Sequence, residues 1–216
     1  MIYRLCMLWG DIWFVLVFIR VIRIYETPHD KKRSYIFVSN HISYLDAAVL
    51  VNAYRQPIRP LGKAEMSKVP VFGFIYQNAI VTVDRKDAAS RAKSIRVLKS
   101  IISKGISVLV FPEGTFNMTH EPVKEFYDGA FRVAIETQTP VKPVLFLDAY
   151  SRLHYRSIFS LTPGRCRIIY LDEISVEGLT TKDTTMLKEK VHSIMSEKLY
   201  KYQASWIEPS NVKRET

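Results

Sequence analysis

Apolar residues recur along the chain in two patterns, short continuous runs and longer stretches with helical spacing. Runs of strand length lie near residues 35–39, 57–61, 79–84, 106–111, 141–147 and 165–171. Helical spacing is found near residues 2–25, 44–54, 65–77, 88–103, 128–138 and 183–202. Strands that alternate with helices are typical of a mostly parallel sheet flanked by helices. The pattern therefore predicts an α/β fold.

The length of 216 residues fits one domain with a proper core. Residues 26–208 form the predicted domain. Residues 1–25 form a helix before it, and the polar residues 209–216 form a loose tail. We therefore predict a single α/β domain with an N-terminal membrane-associating helix.

The N-terminal helix carries the longest apolar run of the chain, residues 12–19, between Asp11 and Arg20. Crossing a bilayer takes about 20 apolar residues, so this run is too short for a span. Trp9 and Trp13 favour an interfacial or re-entrant anchor instead. A helix packed on the domain is the alternative. A signal peptide is not expected, because no small-residue cleavage site follows.

The charge of the chain favours an anionic partner. The net charge is +10 and the isoelectric point about 9.6. Residues 85–104 contain seven basic side chains and one acidic one, with apolar residues at helical spacing. Such a helix suits either an anionic membrane surface or a solvated position over the core. No nucleic-acid motif accompanies it, so no nucleic-acid partner is expected.

Residues 40–46 read Asn-His-Ile-Ser-Tyr-Leu-Asp and hold an imidazole and a carboxylate. A histidine accepts a proton from an alcohol near neutral pH, since its ordinary pKa is about 6.5, if a second group fixes its tautomer. Asp46 is the candidate for that group. Residues at this spacing lie about 140° apart on a helix, so they meet only if His41 precedes the helix. In the alternative interpretation, His41 caps a strand and Asp46 binds backbone N–H groups.

A second motif, Phe-Pro-Glu-Gly-Thr, occupies residues 111–115 directly after an apolar run. Proline does not extend a central strand, and Gly114 lets the backbone approach a ligand closely. Because α/β folds bind ligands at the carboxyl ends of strands, Glu113, Gly114 and Thr115 are candidate site residues. An ordinary turn with an exposed glutamate is the alternative.

In this order the two motifs resemble those of the glycerolipid acyltransferase family, typified by 1-acyl-sn-glycerol-3-phosphate (lysophosphatidic acid) acyltransferases. The resemblance covers about residues 35–147. Weaker similarity to the acceptor-binding block of the family is found at residues 62–65, 70–73 and 80–85. Residues 128–130 and 140–144 resemble its closing Gly-Ala helix and Pro-containing strand.

The resemblance implies acyl transfer from a thioester of coenzyme A or acyl carrier protein to a lipid hydroxyl, with no metal and no other cofactor. His41 would be the general base and Asp46 its orienting partner. A planar Arg85 guanidinium would bind an anionic group of the acceptor, although a solvated charge is the alternative. The acceptor-binding residues implied by the resemblance are Lys63, Arg85, Glu113, Gly114 and Thr115.

Two residues depart from the family pattern. Family members commonly carry a basic residue immediately after Glu-Gly-Thr, whereas this chain has Phe116. Lys142 stands in the Pro-containing strand where apolar residues are usual. It is either a compensating cation or an edge residue, and the sequence does not distinguish the two. The absence of a basic residue after Glu-Gly-Thr is compatible with an acceptor that carries no phosphate.

The sequence therefore predicts an O-acyltransferase that acylates a lysolipid, most consistent with 1-acyl-sn-glycerol-3-phosphate, in phospholipid biosynthesis. A lyso-aminolipid of the ornithine or glycine type is the alternative acceptor. A non-catalytic lipid-surface binding protein is the alternative of another class. The expected location is the cytoplasmic face of the inner or plasma membrane.

Overall fold

The computed structural model of the chain describes residues 2–28, 30–68, 76, 78–84 and 87–207. The helices are α1 (Ile2–Leu16), α2 (Asp46–Ala53), α3 (Ala88–Ile102), α4 (Gly129–Glu136), α5 (Ala149–Arg152) and α6 (Thr184–Lys201). The strands are β1 (Ile19–Tyr25), β2 (Ile36–Ser39), β3 (Ile58–Lys63), β4 (Val81–Val83), β5 (Ser107–Val110), β6 (Val141–Phe146) and β7 (Gly164–Tyr170). Short 3₁₀ segments cover Ala64–Lys68 and Thr181–Asp183.

One sheet contains all seven strands, in the order β1-β7-β6-β2-β5-β3-β4. Neighbouring strands are parallel except β6 and β7, which are antiparallel. The carboxyl ends of β2, β3, β5 and β6 therefore lie along one edge of the sheet, which we call the carboxyl edge. Because β7 reverses direction and β1 follows it, both strands begin at that same edge.

The centre of the sheet is covered on both faces. Every residue of β2, β5 and β6 is buried. Since successive side chains of a strand point to opposite faces, this burial requires helices or loops on each side. The uninterrupted apolar runs of the sequence reflect this two-sided burial, and the predicted α/β fold with a mostly parallel sheet is confirmed.

The N-terminal prediction is wrong in its second half. The helix predicted to continue to residue 25 ends at Leu16, and the next residues form β1. Phe18 adopts a positive φ of 55° between the two elements. From Ile19 onward β-branched residues predominate, and the strand pairs in parallel with β7. Tertiary pairing therefore overrides the apolar pattern that suggested one long helix.

The predicted helix near residues 65–77 begins as the 3₁₀ segment Ala64–Lys68. Residues 69–75 and 77, and the polar tail at 209–216, lie outside the described part of the chain.

Candidate active site

His41 and Asp46 meet in the connection between β2 and α2. β2 ends at Ser39 and α2 begins at Asp46, so His41 lies in the turn before the helix. Nδ1 of His41 is 2.8 Å from Oδ2 of Asp46. The structure thus brings the imidazole and the carboxylate together in the geometry that their spacing requires.

Asp46 is fully buried, and Oδ2 accepts more than the imidazole N–H. The backbone N–H groups of Ile42 and Ser43 donate to the same atom at 2.8 and 3.0 Å. Asp46 therefore also has the structural role of the alternative interpretation, in which it binds backbone N–H groups. Among the described residues, none donates to Oδ1. One carboxylate oxygen fixes both the ring and the backbone of the turn.

The contact with Asp46 sets the tautomer of His41. An ionised carboxylate only accepts, so Nδ1 carries the proton and Nε2 keeps a lone pair. No described residue hydrogen-bonds to Nε2, and the side chain is 24% exposed. His41 is therefore arranged to take a proton from an incoming molecule.

Two further polar residues attach this turn to the sheet. The buried amide of Asn40 donates to the Phe146 carbonyl at 3.0 Å and accepts from the Phe146 N–H at 2.9 Å. The Ser43 hydroxyl donates to the Leu153 carbonyl. These contacts tie the turn to the end of β6 and to the segment after α5. The sequence predicts only a turn at Asn40, and the one signal of a role in the site is its place beside His41.

Glu113 joins the second motif to His41. It is 2% exposed, and Oε1 accepts the backbone N–H of His41 at 2.9 Å. Oε2 accepts the backbone N–H of Lys124, also at 2.9 Å. Burial raises the pKa of Glu113 to about 7, although these two N–H groups partly offset the effect. Glu113 is thus buried, and its carboxylate links the backbone at His41 to the backbone at Lys124. It is not an exposed turn residue.

The residues after Glu113 reverse the chain. Gly114 has a φ of 77°, a conformation that favours glycine, and its N–H donates to the Phe111 carbonyl. Thr115 is exposed, and its hydroxyl accepts from Nζ of Lys124 at 2.8 Å. The cation that contacts Thr115 is therefore Lys124, nine residues later in the chain. Sequence reasoning missed Lys124, because nothing local marks it.

Aromatic rings enclose the imidazole. Phe111 stacks on His41 with ring centroids 4.3 Å apart. Phe116 meets His41 edge-on at 4.4 Å and also contacts Tyr44 at 4.9 Å. Position 116, where the family resemblance implies a basic residue, thus packs an apolar ring beside His41. Phe111, which belongs to the second motif, also had no predicted role.

The structure does not bring all predicted site residues together. Lys63 ends β3 at the carboxyl edge, where it pairs with Glu65 at 3.9 Å, and its side chain is about half exposed. Among described contacts it touches neither His41 nor Asp46. Arg85 lies outside the described residues.

Both interpretations of Lys142 are wrong. It lies in β6, which has β7 on one side and β2 on the other, so it is not an edge residue. Its register partner is Phe37, and its side chain is buried with Nζ 3.4 Å from the Thr27 hydroxyl. Asn40, next to His41, pairs with Phe146, which lies four residues beyond Lys142 in β6, about 13 Å along the strand. Lys142 therefore cannot complete a phosphate site beside His41.

The sequence is similar to those of known acyltransferases. The 1-acyl-sn-glycerol-3-phosphate acyltransferase alpha of Mus musculus is 31% identical over 168 residues, which are 75% of this chain and 58% of that protein. A probable 1-acyl-sn-glycerol-3-phosphate acyltransferase of Mycoplasma genitalium is 25% identical and aligns with 91% of this chain and 75% of its own length. The chain thus spans little more than half of the mouse relative.

The fold has a solved counterpart. The crystal structure of the 1-acyl-sn-glycerophosphate (LPA) acyltransferase PlsC from Thermotoga maritima superimposes with a TM-score of 0.73 at 22% identity. The match covers 95% of this chain and 81% of that one. Residues 20–147, more than half of the chain, match the sequence model of the Acyltransferase family. The chain therefore belongs to the acyltransferase family.

Proposed function

We propose that the protein transfers a fatty acyl group from a thioester of coenzyme A or acyl carrier protein to the hydroxyl of 1-acyl-sn-glycerol-3-phosphate. The observation that carries this proposal is the contact of His41 with Asp46, 2.8 Å from Nδ1 to Oδ2, with Nε2 open. The names of the mouse and Mycoplasma genitalium relatives support this acceptor.

His41 serves as the general base. The lysolipid hydroxyl donates to Nε2, and its oxygen attacks the thioester carbonyl carbon while the proton passes to the ring. Asp46 keeps the ring in the required tautomer and stabilises the imidazolium. The C–S bond of the tetrahedral intermediate then breaks, and the leaving thiol takes up the proton from Nε2. The hydroxyl is converted to an ester, and the base returns to its starting state.

The turn after Glu113 supplies candidate donors for the oxyanion of the intermediate. Among the described residues, the backbone N–H groups of Thr115 and Phe116 have no hydrogen-bond partner. The positive φ of Gly114 lets this backbone approach a ligand closely. A single oxyanion donor typically contributes about 3 kcal/mol to transition-state stabilisation.

The acceptor headgroup is recognised by cations near this turn. Nζ of Lys124, held 2.8 Å from the Thr115 hydroxyl, still has two N–H donors for a phosphate. We propose that Lys124 substitutes for the basic residue that Phe116 replaces. Arg85 and Lys63 remain proposed contacts of the acceptor, as the family resemblance implies.

A lyso-aminolipid is the second candidate acceptor. The observation in its favour is Phe116, whose ring lies beside His41 where relatives commonly have a cation. An apolar ring suits the uncharged part of a lipid better than a phosphate. With a lyso-aminolipid as the acceptor, Lys124 would contact a carboxylate of the headgroup.

We further propose that the protein works at the cytoplasmic face of a membrane, with α1 lying in the interface. Leu8, Trp9 and Ile12 of α1 are each more than half exposed. The opposite side of α1 packs on the domain, since Phe14 is buried and Gly10 lies against Val51. Among the described residues, no helix is long and apolar enough to cross a membrane.

The direct test offers purified protein one acyl thioester together with lysophosphatidic acid, lyso-ornithine lipid and lyso-glycine lipid. Product masses identify the acylated acceptor. The proposal expects diacylated phosphatidic acid as the main product. A main product from either aminolipid would establish the second candidate, and no product with any acceptor would favour a non-catalytic lipid-binding protein.

A further inference from the structure

The loop between α5 and β7 exposes its largest apolar side chains. Phe159 is 90% exposed and Ile158 is 63% exposed. Burying such side chains on the domain would stabilise the fold, yet both project away from it. The loop itself is held by local contacts, since the Ser160 hydroxyl accepts from the His154 N–H at 2.9 Å. Apolar residues displayed on an anchored loop indicate a binding surface.

Both ends of this loop are fixed at the carboxyl edge. At its start, the Leu153 carbonyl accepts from Ser43, which belongs to the turn of His41. At its end, the Gly164 N–H donates to the Phe18 carbonyl at 3.0 Å. Phe18, between α1 and β1, is itself 80% exposed. The loop thus bridges the turn that holds His41 and the end of α1, and all three lie at one edge of the sheet.

Basic side chains accompany the apolar ones. Arg20 of β1 and Arg165 of β7 are register partners in adjacent parallel strands, and both are exposed. Arg156, in the loop, is exposed as well. Within the described part of the chain none of the three forms an ion pair. Like charges placed opposite each other destabilise a sheet. An anion bound between these two arginines would offset their repulsion.

We propose that this loop is a second membrane-docking element, which inserts Ile158 and Phe159 into an anionic bilayer while Arg20 and Arg165 bind lipid phosphates. Apolar burial and attraction to anionic lipid together determine interfacial binding. Docking here would turn the carboxyl edge, and with it Nε2 of His41, toward the lipid from which a lysolipid arrives. Only the last point, that docking turns His41 toward its lysolipid, rests on the proposed function.

Vesicle sedimentation tests the proposal. The full chain and the variant Ile158→Ser/Phe159→Ser are mixed with phosphatidylcholine vesicles that contain or lack phosphatidylglycerol. The substitutions should weaken binding to anionic vesicles by about tenfold or more, given the apolar area removed. Met186→Ser, which replaces a half-exposed residue of α6, is the matched control and should bind like wild type.

A charge variant separates the two contributions. Arg20→Gln/Arg165→Gln should weaken binding to anionic vesicles but not to neutral ones, and Lys182→Gln/Lys201→Gln should change neither by a comparable factor. In addition, Phe159→Trp should add a blue-shifted emission, relative to wild type, when anionic vesicles are present. Wild-type partitioning of the loop variant, or an added tryptophan emission that does not shift with vesicles, would overturn the inference.

Activity on a short-chain, water-soluble acceptor distinguishes this inference from the proposed function. The loop variant should retain wild-type turnover there, because Ile158 and Phe159 make no described contact with His41. A wild type that acylates nothing yet binds vesicles through the loop would refute the proposed function and leave the docking element standing. A loop variant that loses soluble turnover would instead show that the loop serves the catalytic turn.

Discussion

Oδ2 of Asp46 lies 2.8 Å from Nδ1 of His41 while it also accepts the backbone N–H groups of Ile42 and Ser43. One fully buried oxygen therefore orients the base and holds the turn that carries it. The side chain of His41, in contrast, is partly exposed, and its hydrogen bond to a described residue is the one with Asp46. The two residues should respond differently to substitution.

Asp46→Ala is expected to reduce stability as well as activity. It leaves buried N–H groups without an acceptor, and each such loss costs about 1–3 kcal/mol. Urea unfolding should show the loss. His41→Ala leaves that network intact, so its free energy of unfolding should stay nearer to that of wild type. Equal destabilisation of the two variants would show that Oδ2 does not hold the turn.

Glu113 should make stability depend on pH. Its pKa is raised from 4.5 to about 7, so between these values the native protein keeps a proton that the unfolded chain releases. The free energy of unfolding should therefore fall as pH rises through this window, by on the order of 3 kcal/mol in total. Below 4.5 the contribution is fully present, and it is lost as pH passes about 7.

The control for this dependence is Glu113→Gln, which cannot titrate. Urea unfolding of both proteins at several pH values gives the difference in stability between wild type and variant. That difference should shrink as pH rises toward neutrality and then level off. Parallel curves for the two proteins would mean that the Glu113 carboxyl is not protonated in the native state.

Lys124 should determine the preference for phosphate. Lys124→Ala is expected to raise KM for lysophosphatidic acid by about tenfold or more, since a hydrogen bond to a charged group contributes about 1.5–3 kcal/mol. Lys124→Arg should restore most of the loss. Lys142→Met is the control, because Lys142 is buried away from the site. An unchanged KM for Lys124→Ala would remove this residue from the headgroup site.

Phe116→Arg should favour lysophosphatidic acid over lyso-ornithine lipid. The variant adds a cation but also removes the ring that contacts His41 at 4.4 Å. Because the lost packing affects both acceptors, the ratio of their kcat/KM values isolates the effect of the charge. We expect a gain of about 1–3 kcal/mol in that ratio. If the ratio does not move, residue 116 has no part in headgroup choice.

The exposed face of α1 should contribute to membrane binding. Replacing Leu8, Trp9 and Ile12 by Ser should weaken vesicle binding without unfolding the domain, because these side chains are exposed. Deletion of residues 1–23 is not an equivalent test, since it would remove most of β1 from the sheet. Unaltered partitioning of the triple variant would place the membrane anchor elsewhere.

The sequence predicted what local patterns determine. The buried strands β2, β5 and β6 appeared as continuous apolar runs, and the spacing of His41 and Asp46 required a turn that the structure contains. Both features depend only on residues that lie close together in the sequence. The order of strands and the partner of each one depend on distant segments instead.

The wrong predictions and the missed residue all depend on contacts between distant segments of the chain. The apolar pattern of residues 19–25 continues that of α1 and predicts a helix, whereas pairing with β7 makes these residues a strand. Neither interpretation of Lys142, a compensating cation or an edge residue, could be tested without knowing which strands lie beside β6. Lys124 contacts Thr115 through Nζ and Glu113 through its backbone N–H, and both contacts join segments that no local sequence pattern relates.

In the proposed mechanism, His41 takes a proton from the acceptor hydroxyl. The most direct measurement is the rate of formation of the diacylated product by wild type, His41→Ala and the control His192→Ala, followed by mass spectrometry. Positioned proton transfer contributes about 10²- to 10⁴-fold, so His41→Ala should be slower by about 100-fold or more while His192→Ala stays near wild type. Turnover of a folded His41→Ala variant at the wild-type rate would contradict the mechanism.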